Sequence, residues 1–167
     1  MSPAPKRVHQ SVVGGLYACL LEFLGGDQER VYVAPMDVFL HPEESDEETK
    51  RVVQPDVLVV LDRAKLADEG IRGAPDFIAE VLSEGTAKKD LFEKRGLYEE
   101  AGVGEYWVVD PDSGEVFVFR RPAGTEAGAV PRGSAGFEGA AQFRRGDRVE
   151  CRALPGFSWT ARPPAAS

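Results

Sequence analysis

The sequence predicts an α/β domain in which a mixed central sheet is flanked by two helices. Three stretches of this 167-residue chain carry that prediction. Residues 7–24 place their apolar side chains on one face of a helix. A buried strand, a charged helix and a second strand then follow one another within residues 77–110. The alternating run at residues 115–120 predicts an antiparallel partner for that second strand.

Composition predicts one domain over residues 1–167. The chain is 43% hydrophobic and has no apolar segment long enough to span a membrane. Its two cysteines, Cys19 and Cys151, are too few for a disulfide framework or a zinc site, which predicts a cytoplasmic location. The stretch from about 122 to 139 is rich in Gly, Ala and Pro without a period, and it predicts a flexible insertion rather than a second domain.

The net charge of −8 argues against a protein that simply coats nucleic acid, because affinity without sequence preference comes from Lys and Arg on phosphates. Much of the negative charge lies in one predicted exposed loop, made by Glu43, Glu44, Asp46, Glu47 and Glu48. Acidity of this local kind does not exclude an enzyme that acts on nucleic acid.

The first helix is predicted over residues 7–24. Leu16 and Leu20 lie on its apolar face, and His9 lies among them. A lone histidine on an apolar face is more often a hydrogen-bonded core residue than a ligand. Gly25 and the glycine after it predict the end of the helix.

Shorter elements complete the predicted order. Residues 30–34 and 37–40 predict two short strands, and a central strand begins at Val52. Residues 62–76 predict a loop or a short helical turn. Residues 144–151 predict a late strand, followed by an apolar patch at 156–159.

An acidic residue interrupts the buried strand at residues 77–82. Alternation places Glu80 on the same face as Ile78 and Leu82, so its carboxylate points where apolar side chains point. Such a group must be paired, protonated or bound to a cation, since burying a lone charge costs several kcal/mol or more.

Two further charged residues point to the same region. Asp56 opens the apolar run at residues 57–61, directly after Pro55, which suits the beginning of a strand. The helix over residues 87–101, with Thr86 as its predicted cap, gathers an apolar stripe that also contains Asp90 and Lys94.

Acids on neighbouring strands with a lysine on the covering helix predict a cation site for phosphodiester hydrolysis. Asp56 and Glu80 would hold Mg²⁺ or Mn²⁺ through oxygen, and Lys94 would place a fixed positive charge beside the phosphate. The pattern alone gives more weight to another interpretation, in which Glu80 and Lys94 form a structural ion pair.

A longer string of motifs resembles a known family. Its members are Pro55-Asp56, Gly73-Ala74-Pro75-Asp76, Glu80-Val81-Leu82-Ser83, Asp90 with Glu93-Lys94, Tyr98, and the run from Ala101 to Pro111. His9 and the late Leu154-Pro155-Gly156-Phe157 extend the match. In this order they resemble the Uma family of bacterial restriction endonucleases, which is assigned to the PD-(D/E)XK nuclease superfamily.

The resemblance implies a restriction-endonuclease-like fold and a Mg²⁺- or Mn²⁺-dependent endonuclease acting on DNA. It implies Asp56, Glu80 and Lys94 as catalytic residues, with Asp56, Glu80 and the backbone carbonyl of Val81 as metal ligands. Asp90 and His9 are implied as accessory residues. The superfamily's usual strand lysine is replaced here by Leu82, and the family's helix lysine corresponds to Lys94.

A second interpretation stays open beside the enzyme. The acidic charge and the leucine at the strand position also fit a catalytically inactive nuclease-like scaffold that binds a partner or forms a homodimer. The sequence predicts no contact with a membrane under either interpretation.

Overall fold

The structure is a computed structural model that describes residues 6–42, 51–125 and 136–161. The acidic run at 43–48 and residues 126–135 of the predicted insertion lie outside the described residues, as does the C-terminal tail from 162.

Two helices flank the sheet. The first, α1, spans Arg7–Phe23, and the second, α2, spans Lys88–Ala101, which confirms both helix predictions to within a residue. Gly25 follows α1 with a φ of 72°, a left-handed conformation that glycine adopts without a Cβ clash.

The predicted cap of α2 is wrong. The N-cap residue is Ala87, and its N–H donates to Asp90 Oδ2 at 3.3 Å. The Thr86 hydroxyl instead bonds Ser83 Oγ at 2.7 Å, in the turn before the helix. Asp90 is exposed, so its predicted place inside the apolar stripe is also wrong.

The strands within the described residues are β1 (Val31–Val33), β2 (Val38–Phe39), β3 (Val52–Val53), β4 (Val57–Val59), β5 (Leu66–Ala67), β6 (Gly70–Arg72), β7 (Phe77–Val81), β8 (Glu105–Val109), β9 (Val116–Arg120), β10 (Ala141–Phe143), β11 (Arg148–Glu150) and β12 (Ser158–Thr160). A 3₁₀ turn, Arg63–Lys65, precedes β5.

The central sheet has six strands in the order β1-β4-β7-β8-β9-β10. Only the β7–β8 pair is parallel, and α2 forms the crossover between those two strands, as the sequence predicts. The other four pairs are antiparallel, including β8 with β9. The predicted mixed sheet is therefore confirmed.

Alternation along the strands gives the sheet two apolar faces. Phe77, Ala79 and Val81 pack in the cluster that contains Leu16 and Leu20 of α1. Ile78 packs in the opposite cluster, which contains Leu91 and Tyr98 of α2. Each helix thus covers one face of the sheet, and the strand residues between the two helices are buried.

The central strand predicted from Val52 is divided in the structure. β3 joins a second sheet with the order β3-β2-β6-β5, whereas β4 lies in the central sheet. The residues between them include Pro55, which has no N–H to donate to a ladder. Two strands of the second sheet, β5 and β6, form a hairpin within residues 62–76, where the sequence predicted only a loop or a turn.

β11 and β12 form a separate antiparallel pair whose Val149 packs against the α1 face of the central sheet. None of the helices in the described part of the chain is long and apolar enough to cross a membrane.

Candidate functional site

The register of β4 and β7 determines where the two predicted acids lie. Val57 pairs with Ala79 in this antiparallel ladder. Asp56 precedes Val57 and Glu80 follows Ala79, so continuing the register sets the two acids opposite each other. Glu80 falls on the α2 side of the sheet, because Ile78, two residues earlier in the strand, packs in the α2 cluster.

The Asp56 carboxylate is held at this end of the sheet. Its Oδ2 accepts a hydrogen bond from the Val81 N–H at 2.7 Å. His9 Nε2 lies 3.5 Å from the same oxygen. The Asp56 side chain keeps 21% of its surface exposed, so it lies at the edge of the core rather than inside it.

Glu80 is more deeply buried, with only 4% of the residue exposed. Its Oε1 accepts from Lys94 Nζ at 3.1 Å and from the Tyr98 hydroxyl at 2.8 Å. Burial raises the pKa of Glu80, and the nearby Asp56 charge adds to that rise, while Lys94 opposes it. A carboxyl in this position binds a proton more readily than an exposed one, and a cation would compete for the same group.

Both carboxylates are held by one oxygen only. The described hydrogen bonds to Asp56 all fall on Oδ2, and those to Glu80 all fall on Oε1. Within residues 6–42, 51–125 and 136–161, Oδ1 of Asp56 and Oε2 of Glu80 accept none. Each acid therefore has one oxygen fixed by the chain and one that can bind a cation or water.

His9 is brought to the site by α1. It is buried, and the adjacent Asp56 carboxylate raises the pKa of the imidazole, against the opposing effect of burial. Its Nδ1 is buried without a hydrogen-bond partner among the described residues. His9 also lines a cavity of about 260 Å³, together with Lys6, Leu82 and Lys88.

Lys94 and Leu82 occupy the two positions at which related nucleases carry the site lysine according to the resemblance. Lys94 is the position on the helix and Leu82 the position on the strand. Lys94 reaches Glu80 from α2 with 36% of its side chain exposed. Leu82 is half-buried and packs against the α2-side core. The chain therefore supplies the positive charge from the helix and not from the strand.

Two other acids, Asp90 and Asp76, have hydrogen-bond partners outside this group. Asp90 caps the N-terminus of α2, where its Oδ2 accepts a hydrogen bond from the Ala87 N–H. Asp76 precedes β7, at the opposite end of the strand, where its Oδ2 accepts the Leu61 N–H at 2.8 Å. Burial raises the pKa of Asp76. It lines a cavity of about 730 Å³ at that end, about 13 Å along the strand from Glu80.

Tyr98, which lies on the apolar stripe of α2, is a residue of this group to which the sequence analysis gave no role beyond its place in the family motifs. It lies one helical turn after Lys94, is fully buried and donates to Glu80. A signal was present, because a buried tyrosine hydroxyl needs a partner and the stripe faces the strand that carries Glu80. Burial raises the pKa of Tyr98, so its hydroxyl stays protonated and acts as a donor.

A metal site here would depend on few protein ligands. Among the residues that the structure describes, no three His, Cys, Asp or Glu side chains form a group that could hold a metal ion. Asp56 and Glu80 supply two carboxylates, and the backbone carbonyl of Val81 is the further ligand that the family resemblance implies. Oxygen donors of this kind suit Mg²⁺ or Mn²⁺, and Mg²⁺ in particular is usually held by one or two carboxylates with water and substrate phosphates.

Comparisons with known proteins bear on the family and the fold of this chain. The model of the Uma2 family, described as "Putative restriction endonuclease", matches residues 1–162. Among solved structures, the crystal structure of a nuclease described as putative and belonging to DUF820, from Anabaena variabilis, aligns with a TM-score of 0.68 at 15% sequence identity. The alignment covers 96% of this chain and 82% of that chain. At that identity the likeness shows a shared fold. No curated protein matches the chain.

Proposed function

Because this chain belongs to the Uma2 family of restriction-endonuclease-like proteins and shares its fold with the DUF820 nuclease structure, we propose that it is a metal-dependent endonuclease that hydrolyses phosphodiester bonds in DNA. The observation that carries the proposal is the pair of carboxylates at the start of β4 and the end of β7. Each has one oxygen held by the chain and one oxygen left for a cation.

The ligands of that cation would be Asp56, Glu80 and the Val81 carbonyl. A divalent cation at this position supplies Lewis acidity, which activates water and offsets the charge that builds on the phosphate. Since substrate phosphate and water complete the coordination of Mg²⁺, a third protein carboxylate is not required.

The remaining residues orient these groups. The Val81 N–H fixes the rotation of the Asp56 carboxylate, and His9 contacts the same oxygen from α1. Lys94 is positioned by Glu80 yet partly open to solvent, so its ammonium can approach a substrate phosphate. A preorganised cation of this kind stabilises the transition state without reorganisation of solvent.

The second candidate, a catalytically inactive scaffold that binds a partner or dimerises, has one specific observation in its favour. Glu80 is already satisfied by two internal donors, Lys94 and Tyr98, as a purely structural carboxylate would be. An inactive scaffold would not cleave DNA under any metal condition. Sedimentation of the purified protein would then show whether it forms a dimer.

Incubation of the purified protein with supercoiled plasmid separates the two candidates. We expect nicked and linear products with Mg²⁺ or Mn²⁺ and none with EDTA. Asp56→Asn should reduce the rate at least about a hundredfold, because it replaces an anionic ligand of the cation by a neutral one. A parallel reaction with RNA tests whether the substrate is DNA.

Asp68→Asn is the matched control, since Asp68 is an exposed residue in the turn between β5 and β6 and the charge change is the same. Its cleavage rate should equal that of the wild type. Cleavage that survives Asp56→Asn would point to a contaminating nuclease, and a complete absence of cleavage would favour the scaffold.

A further inference from the structure

Tyr98 and Lys94 approach Glu80 from the same side. The Tyr98 hydroxyl donates to Oε1 at 2.8 Å, and Lys94 Nζ reaches the same atom at 3.1 Å. Both contacts restrict the rotation of one carboxylate. Neither of these hydrogen bonds involves Oε2.

The two donors differ in rigidity. Tyr98 is fully buried, and its ring packs edge-on against Tyr106 with 4.8 Å between centroids. A tyrosine has only two rotatable torsions, and this packing fixes both. Lys94 has four such torsions and is partly exposed.

We propose that Tyr98 is a positioning residue, whose hydroxyl fixes the rotation of the Glu80 carboxylate so that Oε2 is the oxygen presented to a divalent cation. The inference rests on the proposed metal site at Asp56 and Glu80. Tyr98 would then affect the affinity for the cation by orienting Glu80, a metal ligand, without itself contacting the cation or the substrate.

A purely structural Tyr98 would have another consequence. Its hydroxyl would then only satisfy a buried carboxylate, and its loss would lower stability without a selective effect on cation binding. A variant that removes an equivalent hydroxyl elsewhere in the same core distinguishes the positioning role from the purely structural one.

Tyr106→Phe is that matched control. Tyr98 and Tyr106 are both fully buried at the interface of α2 with the sheet, and each donates one hydrogen bond of similar length. Only the bond of Tyr98 reaches Glu80. The measurement is the Mn²⁺ dissociation constant by calorimetry without substrate, with denaturation midpoints in EDTA for each variant.

We expect Tyr98→Phe to weaken Mn²⁺ binding at least about tenfold, as substitutions behind a metal ligand typically do, and Tyr106→Phe to change it by less than about twofold. Lys94→Met gives a second test that leaves Tyr98 intact. It should leave Mn²⁺ affinity unchanged or tighter, because Tyr98 still holds Glu80 and a repelling positive charge is removed.

Three results would overturn the inference: equal Mn²⁺ affinity in Tyr98→Phe and wild type, equal weakening in Tyr98→Phe and Tyr106→Phe, or a greater loss in Lys94→Met than in Tyr98→Phe. Wild-type protein that binds no Mn²⁺, or binds it equally well after Asp56→Asn, would overturn the metal site and this inference together. Selective weakening in Tyr98→Phe without any plasmid cleavage would support the positioning role and contradict the endonuclease.

Discussion

The contact between Lys94 and Glu80 serves either the folded state or the chemistry, and one substitution distinguishes these roles. Lys94→Met keeps the length and the apolar part of the side chain. The Tyr98 hydroxyl continues to bond Glu80, whose raised pKa also allows it to take up a proton. We therefore expect denaturation midpoints in EDTA to show a loss within about 1.5 kcal/mol, while Mn²⁺-dependent cleavage falls at least about a hundredfold.

Lys89→Met is the matched control, because Lys89 is 83% exposed on the same helix and contacts Glu93 at a distance of 3.8 Å. It should cleave at the wild-type rate. A loss of about 3–5 kcal/mol in Lys94→Met, not restored by metal, would show that the ion pair is structural. A stable Lys94→Met protein with full activity would contradict the catalytic assignment of Lys94.

For single residues, the sequence could predict the direction of a side chain but not its contacts. The inward direction of Glu80 followed from the two-residue period of a strand, which fixes the face of every side chain once the strand is recognised. The bond from Tyr98 did not follow, because a hydrogen bond depends on side-chain rotation and on the distance between α2 and β7. The approach of His9 to Asp56 depends on tertiary packing in the same way.

The N-terminus of α2 decides the role of Asp90. In the structure its carboxylate accepts the Ala87 N–H and stands near the positive end of the helix dipole. We expect Asp90→Ala to lower the free energy of unfolding by about 0.5–1 kcal/mol through loss of this cap, with little change in plasmid cleavage. Chemical denaturation and cleavage assays on the same preparation measure both quantities.

Asp90→Asn serves as a control for the cap of α2, because an asparagine side chain keeps an oxygen that can accept a hydrogen bond from the Ala87 N–H. It should recover part of the lost stability. A large fall in cleavage in both variants at near-native stability would support Asp90 as an accessory residue of the site.

Long elements with a clear period were predictable, whereas the short strands were predicted only in part. α1 carries its apolar face over four turns, and β7, β8 and β9 each have five residues, so their periods are readable. β5 and β6 have two and three residues, too few to show alternation. The break between β3 and β4 depends on pairing with two different sheets, and local sequence marks it only through Pro55.

At the scale of the whole molecule, the topology explains why distant segments meet at one site. β7 and β8 are parallel, so α2 must return along the sheet, and this return brings Lys94 and Tyr98 over Glu80. β4 runs antiparallel to β7, so the start of β4 meets the end of β7 and places Asp56 beside Val81. The parallel pair could be predicted from the strand-helix-strand order, whereas the sequence predicted β4 as a neighbour of β7 without giving the antiparallel direction of that pair.

A cation bound by Asp56 and Glu80 should stabilise the whole fold, because these two residues come together only in the native state. A ligand that binds only the native state raises stability by mass action, by about 2.7 kcal/mol at a hundred times its dissociation constant. For a chain of this size that corresponds to a rise in melting temperature of roughly 5–10 °C. Scanning calorimetry over a series of Mn²⁺ concentrations should show this rise in the wild type and in Asp68→Asn.

The rise should be lost in Asp56→Asn, because that variant removes a ligand without disturbing the apolar core. The asparagine introduced by this substitution can still accept the Val81 N–H through its side-chain carbonyl oxygen, so the melting temperature of the variant in EDTA should stay close to that of the wild type. An equal Mn²⁺ response in Asp56→Asn and wild type would show that the ion binds elsewhere, and the acidic run at residues 43–48 would be the next segment to substitute.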